Sequence, residues 1–245
     1  TLYNYGVRAF SSLRPHIEKS LERVALAGSG KVEVRPAADV HEFHDLYITD
    51  PPYADAIRYE EITEFFIAWL RRNPPAPFAD WIWDSRRDLA IRGAGEHFRV
   101  EMVKAYTALA NHMPDNGMQI VMFTHQDAKV WGDMAGIFWA AGLRVTAAWY
   151  IATETTSELK KGGYVQGTVI LVVRKRTQTK KAYKDELVLE VREEVKKQLE
   201  TMVGLNQQVR ARGRSENVFE DADLQMAGYA AALRVLTGYT AIDGI

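Results

Sequence analysis

Apolar residues recur along the chain with two periods, and the switches between them mark out a succession of strands and helices. Spacing of three and four residues places Ile62, Phe65, Phe66, Trp69 and Leu70 on one helix face. The same spacing predicts a helix over 96–113 through Met102, Val103, Tyr106, Leu109 and Ala110, and another over 128–141 through Val130, Trp131, Met134, Ile137 and Phe138. Between them lie apolar runs of strand length: Leu46-Tyr47-Ile48-Thr49, read as a buried strand, then Met118 to Thr124, Leu143 to Ile151 and Gly167 to Val173. Upstream, Pro15 to Ala27 has helical spacing, Gly28-Ser29-Gly30 stops it as a C-terminal cap, and 32–35 reads as a short strand. Pro74, Pro75 and Pro77 end the helix that carries Trp69 and open a loop running to Gly95. Downstream, a helix over 184–202 carries Val188, Val191, Val195, Leu199 and Met202 on one stripe, and a second follows over 224–236.

The order strand, helix, strand, helix, strand, strand predicts an α/β fold with a mainly parallel sheet covered on both faces. The last two strands lack an intervening helix, so they are expected to form an antiparallel pair. Residues 1–176 would hold this sheet and 177–245 a helical C-terminal extension. At 245 residues, 47% of them hydrophobic and 26% charged, the chain is long enough for a sizeable core. No apolar run approaches the roughly 20 residues that span a bilayer. The absence of cysteine excludes disulfides and thiolate metal sites and fits a cytoplasmic location. A net charge of −1 gives no overall basic character, so any nucleic-acid-binding face must come from local clusters. Three exist: Arg174, Lys175 and Arg176 with Lys180, Lys181 and Lys184; Lys160-Lys161; and Arg210, Arg212 and Arg214. Each reads equally as a phosphate contact or as a solvated loop or helix end.

Asp50-Pro51-Pro52-Tyr53 stands where the 46–49 strand runs out and a helix begins. In open α/β sheets ligands bind at the carboxyl ends of strands, so this tetrapeptide lies on the expected reactive edge. Its chemistry suits an exocyclic amino group on a nucleobase, whose nitrogen lone pair is delocalised into the ring and needs a hydrogen-bond acceptor to localise it. Asp50 is such an acceptor when ionised. Pro51 and Pro52 keep the backbone extended and leave carbonyls free to accept the second amino hydrogen. Tyr53 would stack on a base swung out of its duplex, as chemistry on a base requires.

Asp50-Pro51-Pro52-Tyr53 matches the motif of S-adenosylmethionine-dependent DNA amino-methyltransferases, most often those acting on adenine N6. The longer run from Thr49 to Ile57, with Tyr59 and Phe65-Phe66-Ile67-Ala68-Trp69-Leu70, resembles a group of large prokaryotic adenine-specific methylases with an N-terminal domain of unknown function. Phe123-Thr124-His125-Gln126-Asp127 with Trp131, Gly142 to Ala147 and Val169 to Arg174 are similar to later segments of that group. The resemblance runs from Val32 to Arg176, with a weaker echo from Asp223 to Tyr239.

That resemblance implies a Rossmann-like methyltransferase sheet ending in an antiparallel hairpin, with S-adenosylmethionine as cofactor and DNA as partner. It implies methylation of adenine N6 in restriction-modification or phage defence, with Asp50, Pro51, Pro52 and Tyr53 catalytic. Asp39 and Thr49 would lie near the cofactor, and Tyr59, Asp55 and His125 near the target base or strand. Asp39 reads equally as a helix N-cap, His125 as part of a turn capped by Asp127, and Tyr59 and Asp55 as packing at a helix start. The loops over 73–95 and 153–167 are expected on the DNA side, with Trp81 and Trp83 in the first stacking bases or, preferably, buried against the sheet. Rival chemistries on the same motif are cytosine N4 methylation, methylation of an amide in protein or RNA, and a noncatalytic DNA-binding or assembly module.

One family feature has no counterpart in the sequence. The glycine-rich loop that cradles the cofactor should follow a strand, and Gly28-Ser29-Gly30 follows a helix instead. The chain is therefore expected to be a fragment, inactive alone, completed by an N-terminal portion of the same protein. His41 and His44 with Glu42 and Asp45 have metal-ligand spacing but no further convergent ligand, so no metal is expected.

Overall fold

The protein is seen in a computed structural model that describes residues 28–52, 59–84, 87–93, 95–152, 167–213 and 218–243. The chain divides into two compact units, Thr1–Val34 and Arg35–Ile245. Of the first unit only 28–34 are described. They contain no strand, and Val32 and Val34 are exposed, so the strand expected over 32–35 does not form: no described segment pairs with it.

The second unit is built on a four-stranded sheet of β1 (Leu46–Thr49), β2 (Met118–Phe123), β3 (Leu143–Ala152) and β4 (Gly167–Lys175), in the order β1-β2-β4-β3. β1 and β2 are parallel, with Leu46 opposite Met118 and Thr49 opposite Val121. β4 is antiparallel to both of its neighbours, β2 and β3. The expected antiparallel pair is present, but the sheet as a whole is mixed rather than mainly parallel. The reason is topological: β4 returns between β2 and β3 instead of adding at the edge, which makes two of the three ladders antiparallel. β1, β2 and β3 still run the same way, so their carboxyl ends share one edge with Gly167 at the start of β4.

The helices are α1 (Tyr59–Leu70), α2 (Glu96–Asn111), α3 (Ala128–Ala140), α4 (Lys184–Ala211) and α5 (Asp221–Leu236). Gln119, Val121 and Phe123 alternate along β2 with half-buried neighbours, and their partners Val173, Leu171 and Val169 on β4 are equally buried. Phe98, Met102, Tyr106 and Leu109 of α2, Trp131, Met134, Ile137 and Phe138 of α3, and Met226, Ala230 and Leu233 of α5 complete that core. Here the periodicities of sequence and structure agree.

The opposite face of the sheet is the more exposed one, and none of the described helices in the core cluster covers its rim. Ile48 is 65% exposed, Trp149 56% and Ile151 48%, and they flank the half-buried Ile120, Met122 and Ile170. β1 is accordingly not the buried strand that its composition suggests, because alternation sends Leu46 and Ile48 to the more exposed side. α1 forms where expected, but Phe65, Phe66 and Trp69 are exposed and meet chiefly each other edge to face.

After the sheet, Arg176 is tied by its guanidinium to the carbonyls of Trp139, Thr237 and Tyr239, and burial lowers its pKa from the usual arginine value. β5 (Lys181–Tyr183) pairs in parallel with β6 (Ala241–Asp243), a two-stranded addition to what the sequence suggested was wholly helical. Of the stripe expected on α4, Met202 is buried and Val191, Val195 and Leu199 are half-buried, whereas Val188 is exposed; Leu187 and Asn206 are buried beside it. Apart from Met202, the stripe lines a groove of about 840 Å³ running from Val188 to Gln207. No described helix is long and apolar enough to cross a membrane.

Candidate functional site

β1 ends at Thr49, and Asp50-Pro51-Pro52 continues directly from it on the shared carboxyl edge. Asp50 is exposed and the two prolines, which fix the backbone, are half-buried. Tyr53 and Asp55 lie outside the described residues. Tyr59 opens α1, and its side chain is likewise outside what is described.

Thr49 faces the core. Its hydroxyl lies 3.3 Å from the Tyr106 hydroxyl and points toward the Ile120 carbonyl at 3.5 Å. A hydroxyl so engaged is turned away from the edge, which does not suit the cofactor contact that the resemblance implies. Tyr106, 3% exposed, packs edge to face on Phe138 at 5.2 Å. Burial chiefly, and then the negative charge of Asp50, hold its phenol above the ordinary tyrosine range, while the Thr49 hydrogen bond opposes them. Nothing in the spacing of α2 distinguishes Tyr106 from its apolar neighbours except its polar tip.

On the adjacent strand, Phe123 is followed by Thr124 and His125. The Thr124 hydroxyl donates to the Gly167 carbonyl at 3.0 Å, tying β2 to β4 at the same rim. The Asp127 amide donates to His125 Nδ1 at 3.0 Å, which puts the ring proton on Nε2, and Trp131 Nε1 donates to the His125 carbonyl at 2.7 Å. Asp127 caps α3 by accepting from the Lys129 amide at 2.8 Å. Both readings of His125 therefore coexist: it belongs to the capping turn, and its ring is fixed with one donor still to place.

The rim continues at β3. Tyr150 donates to Asp223, a fully buried carboxylate that also accepts from the Glu220 amide at 2.9 Å. Burial and the adjacent carboxylate push the Tyr150 phenol upward. A Cβ on Gly167 would sit 2.2 Å from the Ile151 carbonyl and 2.5 Å from the Tyr150 ring, so the close approach of this ring to β4 requires glycine.

Asp39 lies in a short 3-10 turn (Ala37–Asp39), exposed, with its carbonyl accepting from His41 Nδ1 at 2.9 Å. It makes no N-cap hydrogen bond there: the cap position of the turn is Pro36. Arg35 grips Glu42 through both guanidinium nitrogens and lowers its pKa from 4.5 to about 2. That pairing occupies one of the four residues with metal-ligand spacing, and no group of three or more such residues among those described is placed to hold a metal.

The basic cluster after β4 lies at the other end of the sheet. Arg174 donates to the Asn116 and Gly117 carbonyls, Lys175 pairs with Asp115 at 3.2 Å, and Lys180 donates to the Tyr239 hydroxyl at 2.8 Å. These contacts make the cluster a set of clamps, far from the Asp50 edge. Trp83 is half-buried and donates to the Phe78 carbonyl at 3.1 Å, but Trp81 is 57% exposed, contrary to the burial expected of both. Lys160, Lys161 and Arg214 lie outside the described residues.

Compared with protein-family models, curated proteins and solved structures, the chain matches none of them.

Proposed function

We propose that this chain is the base-gripping part of a DNA amino-methyltransferase acting on adenine N6, within a restriction-modification or phage-defence system. The observation that carries this reading is the position of Asp50-Pro51-Pro52 at the carboxyl end of β1, beside the parallel strand β2, with an exposed carboxylate. An antiparallel β3–β4 hairpin at the far side of the sheet is the second feature in keeping with a Rossmann-like methyltransferase sheet.

In this mechanism Asp50 accepts one hydrogen of the target amino group and the Pro51 carbonyl accepts the other. Both draw electron density onto the nitrogen and aim its lone pair. Tyr53 stacks on the extruded ring, with Asp55 and Tyr59 beyond it, and His125 offers its Nε2–H to an acceptor on the base or strand. Rate comes from position and fixed dipoles rather than from a strong base. S-adenosylmethionine, when bound, supplies an electrophilic methyl group.

The described residues do not form a cradle for that cofactor. No glycine-rich turn among them leads from a strand into a helix, and Thr49 is turned inward. A second body supplying the turn is therefore part of the reading. What supports it is that the outer edge of β1 has no described strand beside it and that Ile48 next to that edge is exposed. Strands in parallel pairing are ordinarily covered on both sides.

The test is transfer of labelled methyl groups to DNA by the full-length protein, with the modified base identified in a digest. N6-methyladenine is expected, and Asp50→Ala should reduce turnover by a factor on the order of 10³ with thermal unfolding unchanged. Substantial turnover in that variant removes Asp50 from the role, N4-methylcytosine moves the activity to the other amino base, and label on protein or RNA excludes DNA as substrate.

A further inference from the structure

We infer that Tyr106 is a positioning residue for Asp50, acting through Thr49. This deepens the proposed function and rests on Asp50 being the amino-group acceptor.

The geometry is specific. Tyr106 is the residue of α2 whose polar tip reaches the end of β1, 57 positions away in sequence, at a hydroxyl–hydroxyl distance of 3.3 Å. Phenylalanine would fill the same space against Phe138, whereas a buried hydroxyl must be satisfied or it destabilises the fold. The Thr49 hydroxyl lies between Tyr106 and the Ile120 carbonyl, so Tyr106 O–H, Thr49 O–H and the β2 backbone can form one directed chain. That chain fixes which way Thr49 points, and since Thr49 is the last strand residue before exposed Asp50, it anchors the backbone from which Asp50 projects. The charge of Asp50 adds, after burial, to what holds the Tyr106 phenol above the ordinary tyrosine range. Asp50 directly follows a short strand that has no described strand on its outer edge, and the contact from α2 holds the last strand residue, Thr49.

Tyr106→Phe deletes the hydroxyl and keeps the ring. In the full-length protein, DNA methyl transfer should lose about tenfold to a hundredfold in kcat while KM for DNA stays within about twofold, because misplacement of a bound group affects the reacting geometry more than binding. Thr49→Val breaks the same contact from the other side, keeps β-branching, and should reproduce the loss. The double variant should be no slower than the slower single, as expected for two groups acting as one unit. Parent-like kcat in Tyr106→Phe overturns the inference, and so does a double variant whose loss is the product of the two singles. A fall in thermal stability without the kcat change assigns Tyr106 to packing alone and likewise overturns it. Failure of the underlying reading looks different: Asp50→Ala then retains activity. With Asp50→Ala inactive and Tyr106→Phe fully active, only the role of Tyr106 is lost.

Discussion

The two faces of one sheet behave as parts of different proteins. On one, Val121, Phe123, Leu171 and Val173 are sealed by α2, α3 and α5. On the other, Ile48, Trp149 and Ile151 remain exposed although their side chains are at least as apolar. The covered face is sealed by described helices of this chain, whereas no described element packs on Ile48, Trp149 and Ile151 or pairs with the outer edge of β1. Large exposed apolar patches on soluble proteins often mark contact surfaces.

Substitution on each face tests that contrast. Phe123→Ala should cost about 3–5 kcal/mol, the range for deleting a buried aromatic ring, read as a lower midpoint in urea unfolding. The pair Ile48→Ser and Trp149→Ser should each change stability by no more than about 0.5 kcal/mol. They should also reduce concentration-dependent association in sedimentation velocity. A loss of several kcal/mol from Trp149→Ser would mean that the exposed face is covered within this chain after all.

The smallest effect concerns the approach to β1. Glu42, held by Arg35, has a folded-state pKa of about 2 against 4.5 for the free side chain. A carboxylate lowered in this way contributes stability that is complete above the unfolded value and is lost as pH falls through the folded one. The stability difference between the parent and Glu42→Gln should therefore persist at about pH 5 and shrink toward about pH 2. A difference that stays constant over that range would detach the ion pair from folding.

What the sequence revealed follows from the same contrast. α2, α3, β2 and β4 were readable because each has one covered face, so its periodicity records burial: Met102, Tyr106 and Leu109 are inward as spaced, and so are Trp131, Met134 and Phe138. β1 misled because Ile48 is as apolar as a core residue while its cover is not among the described elements. The α4 stripe was legible in part: Met202 is buried, Val191 and Val195 are half-buried and Val195 lies against Gly228 of α5, while Val188 at its N-terminal end is exposed. β5 and β6, three residues each and paired across the chain, are too short to show any period. Of the candidate site, the edge position of Asp50 and the turn at His125 and Asp127 could be read from order and residue type. The inward turn of Thr49 and the reach of Tyr106 could not, since both depend on a helix crossing under the strand.

The position of β4 also constrains how the chain assembles. It is the last of the four strands to be synthesised, yet it lies between β2 and β3 and supplies the hydrogen-bond partners of both. Without β4, β2 has no partner on that side and β3 has no ladder at all. A closing strand drawn from so far along the chain favours late, all-at-once consolidation over stepwise growth from the N-terminal side.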